Sequence, residues 1–536
     1  IACVRTMMAG GPAKSASANK IIKADTVTVE EESNPPLLLQ IVSLSPGSIL
    51  FSLWSAPPYD VVMKLYIFNV TNPEQFLRGE EKLNVVEVGP YAYKEMLTNN
   101  NATFNDDGTV TYIPKRVFVV DLENSIGDPK IDRVVVPNIP LLGIQSFLEN
   151  SSFFTNMGFS AISSTLGSQP ILNLTIDEYM WGYEDKLVTV ANKFLPKWID
   201  FGTFGILERL ISRDNSNNIT ILVDPKKASS QYKNLLSEEE QVAEFHIVKW
   251  NGSPGLKEWG FQQTEDGRSL NTTKKCQLVE GAYDGTVFPK KMKKNSTITL
   301  FRKAFCRPVH LEFVEEAYTG QGFKSYNYKM KDNMFASPQK NPDNECYCVN
   351  GKCPDKGLQN IAPCYYDMPV VLSQPHFLNV DPTILDTVVG MHPNDTKHSS
   401  IAKVQPDLGV PLDESTLKIQ VNLGIGNTRF NYKTRPFNNL TVPLFWIELT
   451  CNELPSLVYF LLTLIIYVLP VAMEVLTYLL LLVGLAMISG AALLTLYFSK
   501  NIMPQSLNIA SEYAPVPTSI ITIPSQYFNK ELRICK

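Results

Sequence analysis

The stretch Val475–Phe498, VLTYLLLLVGLAMISGAALLTLYF, runs for twenty-four residues without a charge and is closed by Ser499-Lys500. As an α-helix rising ~1.5 Å per residue it reaches ~36 Å, enough to cross a hydrocarbon core of ~30 Å with some tilt. The rest of the chain has to be arranged around that crossing. Gly484, Ala486, Ser489, Gly490, Ala491 and Ala492 leave one face that another membrane helix can approach closely, so a homo-oligomer stays among the expected partners.

A second apolar segment, LPSLVYFLLTLIIYVLPVAME (454–474), precedes it. Pro455 to Leu469 gives only ~22 Å of helix before Pro470, short for a crossing. Residues 456–474 are therefore expected to form a juxtamembrane helix, 475–498 the transmembrane helix, and 499–536 a cytoplasmic tail. That tail holds no acidic dileucine signal, which favours the plasma membrane over an endolysosomal membrane; Cys535 is a candidate for acylation.

Two distributions point to the side that the preceding residues occupy. Asn-x-Ser/Thr acceptor triplets begin at Asn69, Asn101, Asn150, Asn173, Asn218, Asn251, Asn271, Asn295, Asn394 and Asn439, and none lies beyond Leu454. Such a one-sided set fits a glycosylated, extracellular or luminal ectodomain over residues 35–455. Six of nine cysteines cluster there, at Cys276, Cys306, Cys346, Cys348, Cys353 and Cys364. An even cluster in a secretory compartment reads first as three disulfides of open connectivity; a zinc site is the competing reading, although no standard finger spacing is present.

From Ile49 the pattern turns to strands. VVMKLYIFNV (61–70), VVEVGPYAYKEM (85–96) and TVTYIPKRVFVV (109–120) are rich in β-branched and aromatic residues and separated by polar turns, as antiparallel neighbours would be. Two stretches, 141–166 and 175–195, have helical spacing, the second opening with Thr175 and acidic residues.

The segments LYIFNVTNPEQFL (65–77) and VEVGPYAYKE (86–95) resemble the opening of the class B scavenger receptors, a family that includes fatty acid translocase, the high-density-lipoprotein receptor, a lysosomal integral membrane protein and insect sensory neuron membrane proteins. The likeness continues through MWGYED (180–185), DGTVFP (284–289), FASPQKNPDNECYC (335–348), LSQPHFLNVDP (372–382), GMHPN (390–394) and VPLFWIE (442–448). It implies an α+β fold: a large antiparallel β-barrel-like ectodomain with a lipid tunnel, an apical helical bundle and membrane anchorage. It also implies the pairs Cys276–Cys346, Cys306–Cys364 and Cys348–Cys353, each long loop so closed being worth ~3–4 kcal/mol in a chain-entropy account. Relatives carry a spanning helix directly before the segment corresponding to Pro35–Gly47. Lys23–Ser33 stands there instead, so residues 1–34 read as an atypical segment in which that helix is missing.

The resemblance implies a receptor that binds lipids (fatty acids, sterols, carotenoids), lipoproteins or other lipid carriers and passes lipid to the membrane, with a sensory or lysosomal sorting co-receptor as the other reading. Relatives carry basic residues at the apex, but SAISSTLGSQPIL (160–172) has none, which weakens the case for polyanionic ligands. Lys290, Lys291, Lys293 and Lys294 form a basic run that either meets anionic ligands or is simply solvated. The long polar run 212–245 reads as a surface insertion. No G-x-S-x-G, H-E-x-x-H or Walker motif is present, so no enzyme and no cofactor is expected. His376 reads as structural, and His392 and His398 as exposed loop residues, with a metal site as the alternative. A net charge of -5 gives no reason to expect nucleic acid.

Overall fold

The structure, a computed structural model, describes residues 43–59, 61–194, 199–212, 217–227, 244–264, 272–349, 351–451 and 453–506. The chain divides into two units, residues 1–450 and 451–536.

The first unit is built on one fifteen-stranded sheet. Its strands in chain order are β1 (Val61–Val70), β2 (Leu83–Phe104) and β3 (Thr109–Asp121), then, after a separate pair β4 (Arg133–Pro137) and β5 (Ile171–Thr175), β6 (Ile219–Leu222), β7 (Ile247–Trp250), β8 (Ile298–Arg302), β9 (Arg307–Tyr318) and β10 (Lys324–Met330). The short β11 (Gln359–Asn360), β12 (Val370–Ser373) and β13 (Val388–Val389) follow, then β14 (Ile401–Gln405), β15 (Val410–Pro411), β16 (Thr416–Gly424) and β17 (Thr441–Thr450). The main path is β7-β6-β3-β2-β1-β17-β16-β14-β10-β9-β8.

At the middle of the path β1 lies between β2 and β17. Leu65, Ile67 and Phe68 are wholly buried, as are Val442, Leu444 and Phe445 of β17. Burial on both faces accounts for runs such as LYIF and VPLFW, where a half-solvated strand would alternate. Opposite the bulge at Leu65–Ile67 sits Gly89, at φ 152°; a Cβ there would come within 2.6 Å of the Leu65 carbonyl oxygen. Steric exclusion therefore explains the glycine of VEVGPYAY.

The strand path is open, so the expected barrel does not close by strand pairing. Between its end strands β7 and β8 runs the irregular segment Gly281–Tyr283. Ile247 N–H donates to the Ala282 carbonyl (2.7 Å) and Gly281 N–H to the Ile247 carbonyl (3.0 Å) on one side. On the other, Tyr283 N–H donates to the Thr299 carbonyl (2.7 Å) and Phe301 N–H to the Tyr283 carbonyl (2.8 Å). The rings of Trp250 and Phe301, from the two end strands, meet edge to face at 4.7 Å.

Helices gather in the connection that β4 and β5 bracket and just after it. They are preceded by α1 (Ile49–Ser55) and α2 (Pro73–Leu77), and comprise α3 (Ile139–Phe147), α4 (Phe153–Thr165), α5 (Ile176–Trp181), α6 (Lys186–Phe194) and α7 (Ile206–Ser212). Thr175 caps α5 in a reciprocal box with Glu178, which satisfies two otherwise orphaned amides. The run 212–245 is not all surface insertion: β6 pairs with β3 and buries Ile221 and Leu222. Four residues, three of them apolar (ITIL), are enough to add a strand where a partner edge is waiting.

In the second unit helical structure is continuous from Ser456 to Ser506 and contains one segment, Ser456–Lys500, apolar and long enough to cross a membrane. No break separates a juxtamembrane part from the rest. Pro470 is accommodated because the turn before it, Leu464–Val468, is a π-helix; widening that turn relieves the clash of the proline ring with the carbonyl four residues back.

Candidate functional site

The helical layer contains a narrow recess with almost wholly apolar walls. Pro140, Ile144 and Phe147 of α3, Val188 of α6, and Phe201 and Phe204 after it form most of the lining, and Asp367 is its one charged residue among those described. Tyr366, Asp367 and Met368 complete it from a different part of the chain. Tyr366 and Asp367 both have positive φ, 57° and 55°, a backbone that costs on the order of 1–2 kcal/mol per non-glycine residue. The Cys306–Cys364 bridge, Cα–Cα 6.0 Å, and the Asp367 N–H to Ala362 carbonyl bond (3.0 Å) hold that turn against the recess. Cys276 bonds to Cys346 (Cα–Cα 6.0 Å) and Cys348 to Cys353 (4.1 Å).

A second constellation lies on the sheet. Glu87 of β2 accepts a hydrogen bond from the indole N–H of Trp446 on β17 (2.7 Å) and faces His376 Nε2 at 2.6 Å and Lys397 Nζ at 3.5 Å. Burial raises the affinity of this carboxyl for a proton, but hydrogen bonds from His376 and Trp446 and the charges of His376 and Lys397 outweigh it and bring its pKa down to about 2. The imidazoles of His376 and His398 stack with centroids 4.5 Å apart, and Tyr66 stacks flat on Trp446 at 4.0 Å. Burial, then the charges of Glu448 and Glu87, push the Tyr66 phenol up to about 12.

His398 is thus only 2% exposed, not a loop residue in solvent; the polar residues around it in sequence gave no sign of the tertiary cover. Burial first, then the charges of His376 and Lys397, lower its pKa to about 4. His392 is exposed, and its N–H donates to His376 Nδ1 (3.1 Å). Among the described residues no group of three or more His, Cys, Asp or Glu is placed to hold a metal ion.

The lysine run is only partly solvated. Lys290 pairs with Glu244 (3.0 Å) and lies over the Phe245 ring, while Lys294 pairs with Glu316 (2.8 Å). Lys291 and Lys293 are exposed, Met292 between them packs on the core, and none of the four lysines lines the recess. Of the acceptor asparagines, Asn101, Asn150, Asn173, Asn218, Asn251, Asn295, Asn394 and Asn439 are exposed and Asn69 is half-buried, its side-chain Oδ1 accepting from Val135 N–H (2.7 Å). Asn271 lies outside the described residues, as do residues 1–34 and the tail from 507.

Comparison with known proteins gives the family. The CD36 family model matches residues 33–495. Scavenger receptor class B member 1 from Bos taurus is 30% identical over 413 residues, covering 77% of this chain and 74% of that protein. Lysosome membrane protein 2 from Homo sapiens is 28% identical over 409 residues, covering 76% of this chain and 78% of that protein. With a large antiparallel sheet and a membrane-capable helix in one chain, and a family match over most of its length, this protein belongs to the CD36 family.

Proposed function

We propose that the protein is a class B scavenger receptor that accepts lipid from lipoproteins or other carriers and transfers it to the membrane, without catalysing a reaction. The observation that carries this reading is the apolar recess, walled by Pro140, Ile144, Phe147, Val188 and Phe201. A lipid crossing water forfeits ~0.8 kcal/mol per methylene; an apolar path removes that barrier. Support for a barrel-like interior that continues the path comes from the Gly281–Tyr283 segment, which hydrogen-bonds both end strands. On this reading Val475–Phe498 crosses the bilayer, the ectodomain is extracellular and glycosylated, and the plasma membrane is the working location.

The test is uptake of labelled fatty acid, cholesteryl ester and carotenoid by cells expressing the chain, against Gly143→Leu. A Cβ at Gly143 already meets Met368 Cε at 3.3 Å, so a leucine fills the recess. Uptake several-fold above untransfected cells, lost in the variant at equal surface amount, supports the reading; no uptake of any of the three overturns it. The similarity to lysosome membrane protein 2 favours the sorting alternative, which immunolocalisation to endolysosomes without lipid uptake would establish.

A further inference from the structure

A polar groove lies near one end of the strand path, on the face of the sheet turned away from the core. Side chains alternate along β3 and β6: Val110, Tyr112, Ile219 and Ile221 enter the core, so Thr111 and Thr220 point the other way. Register sets Thr111 opposite Thr220 and Thr220 opposite Lys249 of β7, and three strands thus contribute one row. Phe104, Asn105 and Asp107, at the turn from β2 to β3, close the groove at one end, leaving a space of about 580 Å³. Sites for small ligands have volumes of that order.

The hydrogen bonds of the floor leave something over. Asn105 Nδ2 donates to the hydroxyls of Thr109 (2.9 Å) and Thr111 (3.1 Å), and Asp107 Oδ1 accepts from the hydroxyl of Thr109 (2.6 Å). Thr111 and Thr220 share one bond between their hydroxyls (2.9 Å). Whichever of the two donates, one hydroxyl hydrogen stays unused among the described residues. The Lys249 ammonium adds donors beside it, the carboxylates of Asp106 and Asp107 add acceptors, and Phe104, whose ring meets Phe51 at 5.5 Å, adds an apolar wall. A lipid chain would leave these polar groups unsatisfied, and a simple ion would meet charges of both signs. A sugar ring, with hydroxyls that donate and accept around an apolar C–H face, answers all of them.

A source of sugar stands beside the groove. Thr220 closes the acceptor triplet Asn218-Ile219-Thr220. Asn218 is exposed and falls two residues before Thr220, on the same face. Two neighbouring triplets are placed less well. Asn251 is turned back onto the adjoining segment, its Oδ1 accepting from Asn218 N–H (2.9 Å) and its Nδ2 donating to Asn217 Oδ1 (2.7 Å), so a sugar on that nitrogen would compete with this bond. Asn101 has positive φ (55°) where the β2–β3 register slips, and its Thr103 does not line the groove. From Asn218 the strand carries Thr220 ~7 Å away and Leu222, opposite Thr109, ~14 Å away. An asparagine side chain and the two sugar rings that follow it cover that span.

We infer that the groove seats the stem of an N-linked glycan on Asn218, its first two N-acetylglucosamine residues, whose acetamido and hydroxyl groups bond to Thr111, Thr220, Lys249 and Asp106. The glycan then acts as a fixed cover on this face of the sheet. The inference rests on the extracellular placement of the ectodomain proposed above and makes no use of lipid transfer.

The test is site-resolved removal of glycans from the folded full chain, purified in detergent from mammalian cells, by peptide-N-glycosidase F, which must reach the bond between sugar and asparagine. Digestion in heavy-oxygen water marks each released site for mass spectrometry. Release at Asn218 is expected to be slower than at the exposed Asn295 and Asn439 by on the order of tenfold, a difference that disappears once the chain is denatured. Lys249→Ala with Asp106→Ala raises the Asn218 rate several-fold and leaves the other two rates unchanged. Thr111→Val, close to threonine in shape, acts in the same direction, and an unchanged melting temperature verifies folding of each variant. Asn218 bare while Asn295 and Asn439 carry sugar, release at Asn218 as fast as at those two, or slow release that neither groove variant alters, overturns the inference. A chain bare at every triplet overturns the inference and the extracellular placement together, whereas failed lipid uptake with Asn218 protected refutes the transfer function alone.

Discussion

Replacing Glu87 is expected to cost more than its position on a sheet surface suggests. In Glu87→Ala the indole N–H of Trp446, whose residue is 1% exposed, loses its acceptor at 2.7 Å, and His376 loses a partner at 2.6 Å. An unsatisfied buried donor costs about 1–3 kcal/mol and a charge-assisted bond contributes about 1.5–3 kcal/mol; because both converge on one carboxylate they do not add fully. We expect about 3–4 kcal/mol of destabilisation for Glu87→Ala and about half for Glu87→Gln, which keeps an acceptor. Urea titration of the full chain in detergent at pH 7, followed by tryptophan fluorescence, reads both. Since the carboxyl titrates near 2 in the fold and 4.5 is its ordinary value, its charge contributes fully above pH 4.5 and is lost as pH falls from 4.5 through 2. The gap between wild type and Glu87→Gln therefore narrows below pH 4. A loss under 0.5 kcal/mol in Glu87→Ala, or a glutamine variant weaker than the alanine one, refutes the account.

His398, lowered from 6.5 to about 4, contributes stability that is full above pH 6.5 and lost as pH falls from 6.5 through 4, about 1–2 kcal/mol after allowance for solvent screening. His398→Gln should flatten that part of the wild-type profile in the same titration, and an unchanged slope there tells against it. Glu280 behaves oppositely: both carboxyl oxygens are buried without a hydrogen-bond partner among the described residues, and burial, opposed by Lys249, raises its pKa to about 7. Its favourable, protonated state is fully present below pH 4.5 and lost as pH rises through 7, so Glu280→Gln should gain about 2 kcal/mol at pH 8 and nothing at pH 4; a loss at pH 8 contradicts this. Gly390, at φ +102°, has the Val85 carbonyl oxygen 1.9 Å from where a Cβ would sit. Gly390→Ala should cost several kcal/mol and abolish surface delivery in cells, which cell-surface biotinylation would show.

What could be read from sequence followed how far each element's cause is local. The strand Val61–Val70 announces itself because burial on both faces demands an apolar run, and Thr175 announces a helix because its capping partner Glu178 is three residues away. Gly281–Tyr283 is invisible by the same logic, since it acts through backbone amides that carry no side-chain pattern. The burial of His398 depends on partners tens of residues distant, His376 and Trp446. The polar composition around it made it read as solvent-facing. The strand Ile219–Leu222 was hidden because four residues inside a polar run fall below any periodic window.

The bridge at Gly281–Tyr283 has a mechanical consequence. A wall made of strand ladders resists parting through many cooperative bonds, but this seam is stitched by a handful of amides and clasped by the Tyr112 hydroxyl on Asp284 (2.5 Å). It is where the girth of the sheet can change at least cost. On the lipid-transfer reading proposed above, a wide cargo would be admitted by letting out this seam while every ladder stays zipped, and the amide hydrogens of Tyr283 and Phe301 would then exchange faster in the presence of such cargo.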